Sequence, residues 1–119
     1  MSLEVRDLSF RYGEREILHS VSFAAAPGEI LGVAGPNGCG KTTLLKVVAG
    51  FLPPSSGRVL ISGRDIRGPG SDRCVVFQED ALFPWLTVKE NVTFGLTHRK
   101  RKGVGCVPDV DRLIESVGL

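Results

Sequence analysis

Gly35-Pro36-Asn37-Gly38-Cys39-Gly40-Lys41-Thr42 spells G-x-x-x-x-G-K-T, a loop whose residue types suit a polyphosphate. Gly35, Gly38 and Gly40 carry no Cβ, so the backbone is expected to take positive φ and wrap its amides around a β-phosphate. A helix opening at Lys41 would aim its N-terminal amides and the positive end of its dipole at the same anion. Lys41 would bridge β- and γ-phosphate oxygens as a point charge. Thr42 would offer its hydroxyl to Mg²⁺, and Thr43 would reach an α-phosphate. Cys39 reads as a small residue that the loop tolerates, with a redox role as the sharper alternative. At the head of a helix it is open to alkylation.

These residues need a strand before them and a helix behind. Ile30-Leu31-Gly32-Val33-Ala34 is short and apolar throughout, the pattern of a strand buried on both faces in a parallel sheet. After the loop, Leu44, Leu45, Val47 and Val48 lie on a helix expected to stop near Gly50. Upstream, residues 3–12 alternate apolar and polar, with a phase slip near Asp7 that predicts a bulge. A turn at 13–16 and a strand over 17–26 then make an antiparallel hairpin. Pro27-Gly28 has the chemistry of a type II turn. Downstream, 58–63 is a short strand and Cys74-Val75-Val76-Phe77 a second buried one, ending at Gln78-Glu79-Asp80. Thr87-Val88-Lys89-Glu90 is a capping box that predicts a helix from about Val88 to His98. Val110, Leu113, Ile114 and Val117 predict an amphipathic helix near the end. Antiparallel strands followed by strand–loop–helix units imply an α/β domain with a small β-subdomain in front.

The bulk properties exclude several classes. A chain of 119 residues fits one domain at most, and 42% hydrophobic with 24% charged residues argues against wholesale disorder. A net charge of +2 gives no reason to expect nucleic acid. The basic run His98-Arg99-Lys100-Arg101-Lys102 reads as a solvated helix end rather than a nucleic-acid patch. Cys39, Cys74 and Cys106 show no metal spacing, and His19 and His98 lack ligand-spaced partners, so no metal other than Mg²⁺ is expected. The opening Met-Ser-Leu-Glu-Val-Arg has no signal-peptide pattern, and no apolar run is long enough to span a bilayer. A reduced, intracellular protein that reaches membranes only through a partner is the expectation. The guanine-reading N-K-x-D pattern does not occur, which argues against a GTPase.

From end to end the chain resembles the ATP-binding subunits of ABC transporters. The resemblance runs through "FRYGEREIL", through "VSFAAAPGEILGVAGPNGCGKTTLLKVVAGFLPPSSGRVLISGRDI" and through "VVFQEDALFPWLTVKENVTFGL". It implies a P-loop NTPase fold, here a half-domain with an N-terminal antiparallel β-subdomain and an incomplete core sheet. By the same resemblance, Tyr12 stacks on adenine, and residues 35–43 hold the phosphates. Gln78 is the glutamine that touches Mg²⁺ and the attacking water and couples the site to the membrane subunit. Two blander readings stand beside these: Gln78 as a surface residue ending a strand, and Asp80 as the Mg²⁺ ligand in its place. Leu82, Phe83, Trp85 and Leu86 are either core or part of the groove that receives a helix of the transmembrane permease subunit. "RGPGSDRCVVFQEDALFPWLTVKENVTFGL" looks most like importers of the nitrate, sulfonate and taurine group.

The resemblance also says what is not here. The LSGGQ-type signature, the strand ending in the Mg²⁺-binding Asp, the adjacent catalytic Glu and the switch His do not occur in residues 1–119. The expectation is the N-terminal part of a nucleotide-binding domain, without the strand that would flank 30–34. Weak Mg·ATP binding, negligible hydrolysis and marginal stability follow for this chain alone. The implied partners of the complete subunit are the transmembrane permease, a second ATP-binding subunit in a head-to-tail dimer, and indirectly a periplasmic or extracellular solute-binding protein. The ATP-binding subunit itself is expected to be peripheral at the cytoplasmic side of the inner membrane. Two other classes stand beside this one: a non-catalytic nucleotide-binding module or non-functional remnant, and a phosphate-loop small-molecule kinase.

Overall fold

A computed structural model of the chain describes residues 1–100 and 109–119. Its two compact units are Met1–Val76 and Phe77–Leu119.

In the first unit, alternating side chains give β1 (Leu3–Tyr12) and β2 (Arg15–Ala25) one dry and one wet face. They pair antiparallel across a two-residue turn at Gly13-Glu14, tighter than the expected turn at 13–16, with Tyr12 opposite Arg15. β3 (Ser56–Ile61) pairs antiparallel with the other edge of β1, and β4 (Arg64–Asp65) pairs with β3, giving the order β2-β1-β3-β4. β4 was not foreseen, although its signal was present. Ser62-Gly63 forms a two-residue turn with φ of 49° and 76°, the positive pair that a type I′ hairpin requires.

The bulge expected near Asp7 is there, and it has a counterpart. Val5 pairs with Phe23 and Leu8 with Val21, so β1 carries one more residue than β2 between these rungs. Leu8 pairs with Val21 and Phe10 with Leu18, so the next rung returns the extra residue on β2. Asp7 and Ser20 sit at these two points with φ of 46° and 45°. A serine on the opposite strand holds each one: Asp7 N–H donates to Ser22 Oγ at 2.8 Å, and Ser20 N–H donates to Ser9 Oγ at 2.9 Å. Without the bulges, Val5 and Leu8 would face opposite sides of the sheet. With them, Val5, Leu8, Phe10 and Leu18 all point inward.

The helix α1 (Lys41–Ala49) covers that face, contributing Leu44 and Val47 to a core with Val5, Leu8, Phe10, Leu18 and Val59. Each such side chain fully removed from water contributes about 1.5–3 kcal/mol before the cost of ordering. As expected, α1 stops at Gly50, whose φ is 85° and whose N–H returns to Val47 O at 3.0 Å. The Pro27-Gly28 turn also forms, with Glu29 N–H donating to Ala26 O at 3.1 Å and φ of 80° at Gly28.

Two expectations fail. Neither 30–34 nor 74–77 is a strand, and Ile30 and Val76 are 96% and 94% exposed. An all-apolar strand gains stability only when it has neighbours on both edges and layers on both faces. Among the described residues no strand pairs with either stretch, so the sheet is antiparallel only.

In the second unit, α2 (Val88–Lys100) begins at the foreseen capping box. Glu90 N–H donates to Thr87 Oγ1 at 3.2 Å, and Thr87 N–H donates to Glu90 Oε2 at 2.8 Å. α3 (Val110–Ser116) is capped by Asp109, which accepts from Arg112 N–H at 3.3 Å. Its apolar stripe is only partly covered: Val110 is buried, whereas Leu113 and Val117 are exposed. Lys89 and Asp111 join α2 to α3 at 2.7 Å. Cys106 and the side chains of the basic run 98–102 lie outside the described residues. No described helix is long and apolar enough to cross a membrane.

Candidate functional site

The phosphate loop sits between the apolar stretch 30–34 and the first turn of α1. Lys41 does not extend into water. Its Nζ donates to Gly35 O and to Pro36 O, both at 2.7 Å, and lies 3.7 Å from Cys39 Sγ. The loop thus closes on its own cation, and the ammonium is held at the mouth of the turn rather than swept through solvent.

Glycine is needed here for two different reasons. Gly38 and Gly40 take φ of 79° and 103°, as expected, but Gly35 does not adopt positive φ. At Gly35 the requirement is space, because a Cβ there would stand 2.8 Å from Cys39 Sγ. Gly40 is constrained twice over. Besides its φ, a Cβ would come within 3.1–3.2 Å of Ile17 and Leu18 on β2. The head of α1 is therefore pressed against the hairpin, a contact that spacing in the sequence did not reveal.

Electrostatically the helix start is left open. Gly40 is the N-cap, no side chain caps it, and the first turn of α1 contains no acidic residue. The first amides of a helix have no partners within it, so they and the dipole are available to an anion. Thr42 is exposed on that turn, and Thr43 is half-buried. Asn37 and Cys39 are exposed on the loop. A phosphate group fits this arrangement of free amides, one lysine and neutral hydroxyls. The hydroxyl of Thr42 is a hard oxygen donor of the kind Mg²⁺ accepts. Among the described residues no cluster of three His, Cys, Asp or Glu is placed to hold a metal.

Tyr12 belongs to the same unit. It ends β1, 51% exposed, with its ring edge-on to Phe10 at 4.8 Å. Because β2 touches Gly40 through Ile17 and Leu18, and Tyr12 pairs with Arg15 on that strand, the hairpin end lies beside the loop. Tyr12 thus offers a half-exposed ring at the end of the hairpin whose β2 strand meets Gly40. Gln78 and Asp80 are exposed in the second unit.

In that second unit, Leu82 and Trp85 are 68% and 76% exposed, while Phe83 and Leu86 are half-buried. Phe83 packs against Trp85 at 5.5 Å and Phe94 at 4.4 Å. The segment is thus neither wholly core nor wholly surface: its base is packed and its tip is wet. Asn91, which the sequence did not single out, bonds to Phe83 N–H, Phe83 O and Leu86 O of this segment and to Thr87 O just after it.

A family model described as ABC transporter matches residues 18–119. The taurine import ATP-binding protein TauB of Jannaschia sp. (strain CCS1) is 43% identical over 98% of this chain and 46% of its own length. TauB of Pelagibacter ubique (strain HTCC1062) is 47% identical over 95% of this chain and 44% of its own. TauB of Pseudomonas aeruginosa (strain UCBPP-PA14) is 52% identical over 83% and 38%. The chain spans less than half the length of these curated relatives. Among solved structures, the ATP-binding subunit of an ABC transporter superposes with a TM-score of 0.52 and 37% identity, over 55% of this chain and 27% of that one. A bacterial Atm1-family ABC exporter with ATP bound gives a TM-score of 0.53 and 39% identity, over 57% and 12%.

Proposed function

The chain belongs to the ABC transporter family, and from that premise we propose that it is the ATP-binding portion of an importer subunit. In this reading it holds Mg·ATP on residues 35–43 and does not turn it over alone. The observation that carries the reading is the self-closed loop, with Lys41 Nζ on Gly35 O and Pro36 O at 2.7 Å beneath an uncapped helix start.

In the bound state the amides of the loop and of Lys41, Thr42 and Thr43 orient the phosphates, and Lys41 neutralises their charge. Tyr12 stacks on the adenine. Mg²⁺ would be held through the Thr42 hydroxyl, and the chemistry it would supply is neutralisation of phosphate charge. Gln78 suits a sensing role because an uncharged carboxamide both donates and accepts. The non-hydrolytic reading rests on the family resemblance, whose catalytic Glu, the group that would orient and deprotonate an attacking water, does not occur in residues 1–119.

The solute would be a small sulfonate such as taurine, by likeness to the TauB relatives. The exposed Leu82–Leu86 segment would meet an apolar helix of a transmembrane permease on the cytoplasmic side. The complete subunit would pair head-to-tail with a second copy and be supplied by a solute-binding protein.

The test is equilibrium binding of a fluorescent ATP analogue to the 119-residue chain with Mg²⁺. Lys41→Ala should weaken it about 100-fold, the loss of a charge-assisted contact of about 1.5–3 kcal/mol. Equal binding by Lys41→Ala would overturn the site. Robust ATP turnover by the purified chain, abolished by Lys41→Ala, would overturn its non-hydrolytic character.

A further inference from the structure

We propose that Asn91 is a positioning residue that holds the exposed segment Leu82–Leu86 in one preformed shape for the transmembrane partner. The proposal rests on the docking role given to that segment above.

Asn91 lies on α2 one turn beyond Thr87, part-buried, at a place where helix propensity disfavours asparagine. What its carboxamide does there is read main chain. Oδ1 accepts from Phe83 N–H at 2.8 Å, and Nδ2 donates to Phe83 O at 3.2 Å. Both backbone groups of one residue are thereby engaged, as in a rung between two strands. Leu86 O at 3.1 Å and Thr87 O at 2.9 Å also lie within hydrogen-bond distance of Nδ2, whose two hydrogens are shared among the three carbonyls. The opposite amide orientation would set Nδ2 against the Phe83 N–H, so the network fixes which end is which.

These contacts enclose a turn. Leu86 N–H donates to Phe83 O at 3.0 Å, closing Phe83-Pro84-Trp85-Leu86. Both ends of the turn are tied to Asn91, and three residues further along α2 the Phe94 ring packs on Phe83 at 4.4 Å. The tip is wet: Trp85 leans on the Phe83 ring at 5.5 Å yet is 76% exposed. A fixed base beneath an apolar tip lets a partner bind without ordering a loop first, which lowers the entropic cost of association. No other residue type does this at the same reach. Aspartate keeps the acceptor for Phe83 N–H but sets a carboxylate against three carbonyls, and leucine or alanine makes none of these bonds.

Trp85 is the only tryptophan of the chain, so its emission reports on the segment alone. In the 119-residue chain, the Phe83 amide should exchange with solvent far more slowly than that of Gln78. Asn91→Ala and Asn91→Asp should each speed Phe83 exchange about tenfold, the equivalent of one net hydrogen bond. Acrylamide quenching of Trp85 should change in the same variants while far-UV helix content stays. An unprotected Phe83 amide in the unsubstituted chain overturns the proposal whether or not the variants fold. So does exchange that is unchanged in both variants. A second arm measures capture of the detergent-solubilised permease, where Trp85→Ala and Asn91→Ala should each lose about tenfold. Loss with Trp85→Ala but not Asn91→Ala keeps the docking reading and overturns the positioning role. Full capture by both overturns the docking reading itself, and the proposal falls with it.

Discussion

At the scale of single residues, the loop shows how an anion site can close on its own cation. Lys41 spends its charge on two carbonyls of its own loop, so the turn stays closed around it. Cys39 sits inside this closure, exposed, with Sγ 3.7 Å from Lys41 Nζ and packed over Gly35. Any group added to that sulfur must push against the lysine or the first glycine. Alkylation of Cys39 with a maleimide is therefore expected to abolish binding of the ATP analogue, and bound nucleotide should slow the alkylation. Mass spectrometry of the labelled peptide beside a binding titration measures both. Full modification with unchanged affinity would mean that the loop binds elsewhere. The identity of each loop residue was legible in the sequence, because G-x-x-x-x-G-K-T is a local pattern. The reason for Gly35 was not. It depends on where a sulfur four residues later comes to rest.

At the scale of elements, the capping box of α2 carries a pH dependence whose direction follows from its contacts. Hydrogen bonds from the Thr87 backbone and then from its hydroxyl hold the Glu90 carboxyl below its ordinary value of 4.5. The ionised form is the one favoured on folding. Its contribution is therefore full above the ordinary value and is lost as pH falls through the lowered one. Acid titration followed by helix content should show α2 fraying in that range, and Glu90→Gln should remove this step. An identical acid profile in Glu90→Gln would show that the box contributes nothing. Several elements set by near neighbours were readable in advance: this cap, the bulge at Asp7, the Pro27-Gly28 turn and the end of α1 at Gly50. The two apolar stretches misled because their strand character depends on partners, and among the described residues neither has one. β4 was missed because two residues are too few for a periodicity, although Ser62-Gly63 announced the turn. Asn91 was missed because its bonds go to backbone, which leaves no mark on the sequence.

At the scale of the whole molecule, the outer surface is unusually rich in large apolar residues. Ile30 is 96% exposed, Val76 94%, Trp85 76% and Leu82 68%. Large apolar side chains exposed in this way favour association, and apolar backbone without a strand partner can pair edge to edge. The purified chain should therefore associate as its concentration rises, seen as a growing weight-average mass in sedimentation equilibrium. Ile30→Lys with Val76→Lys should shift it toward monomer without loss of sheet content. A monomer at all concentrations would refute this. The hairpin sets a different kind of limit. Its bulges at Asp7 and Ser20 offset each other, and a further shift between Phe10 and Arg11 leaves one more residue on β2 before Tyr12 meets Arg15. The two strands thus behave as the scales of a vernier whose successive offsets set where each side chain faces. Lengthening either strand alone by one residue would turn Tyr12 to the other face of the sheet, whereas a matched change in both would leave it in place. Over evolutionary time, insertions and deletions in this hairpin should therefore be tolerated only as compensated pairs, while the Gly13-Glu14 tip remains free to vary in length.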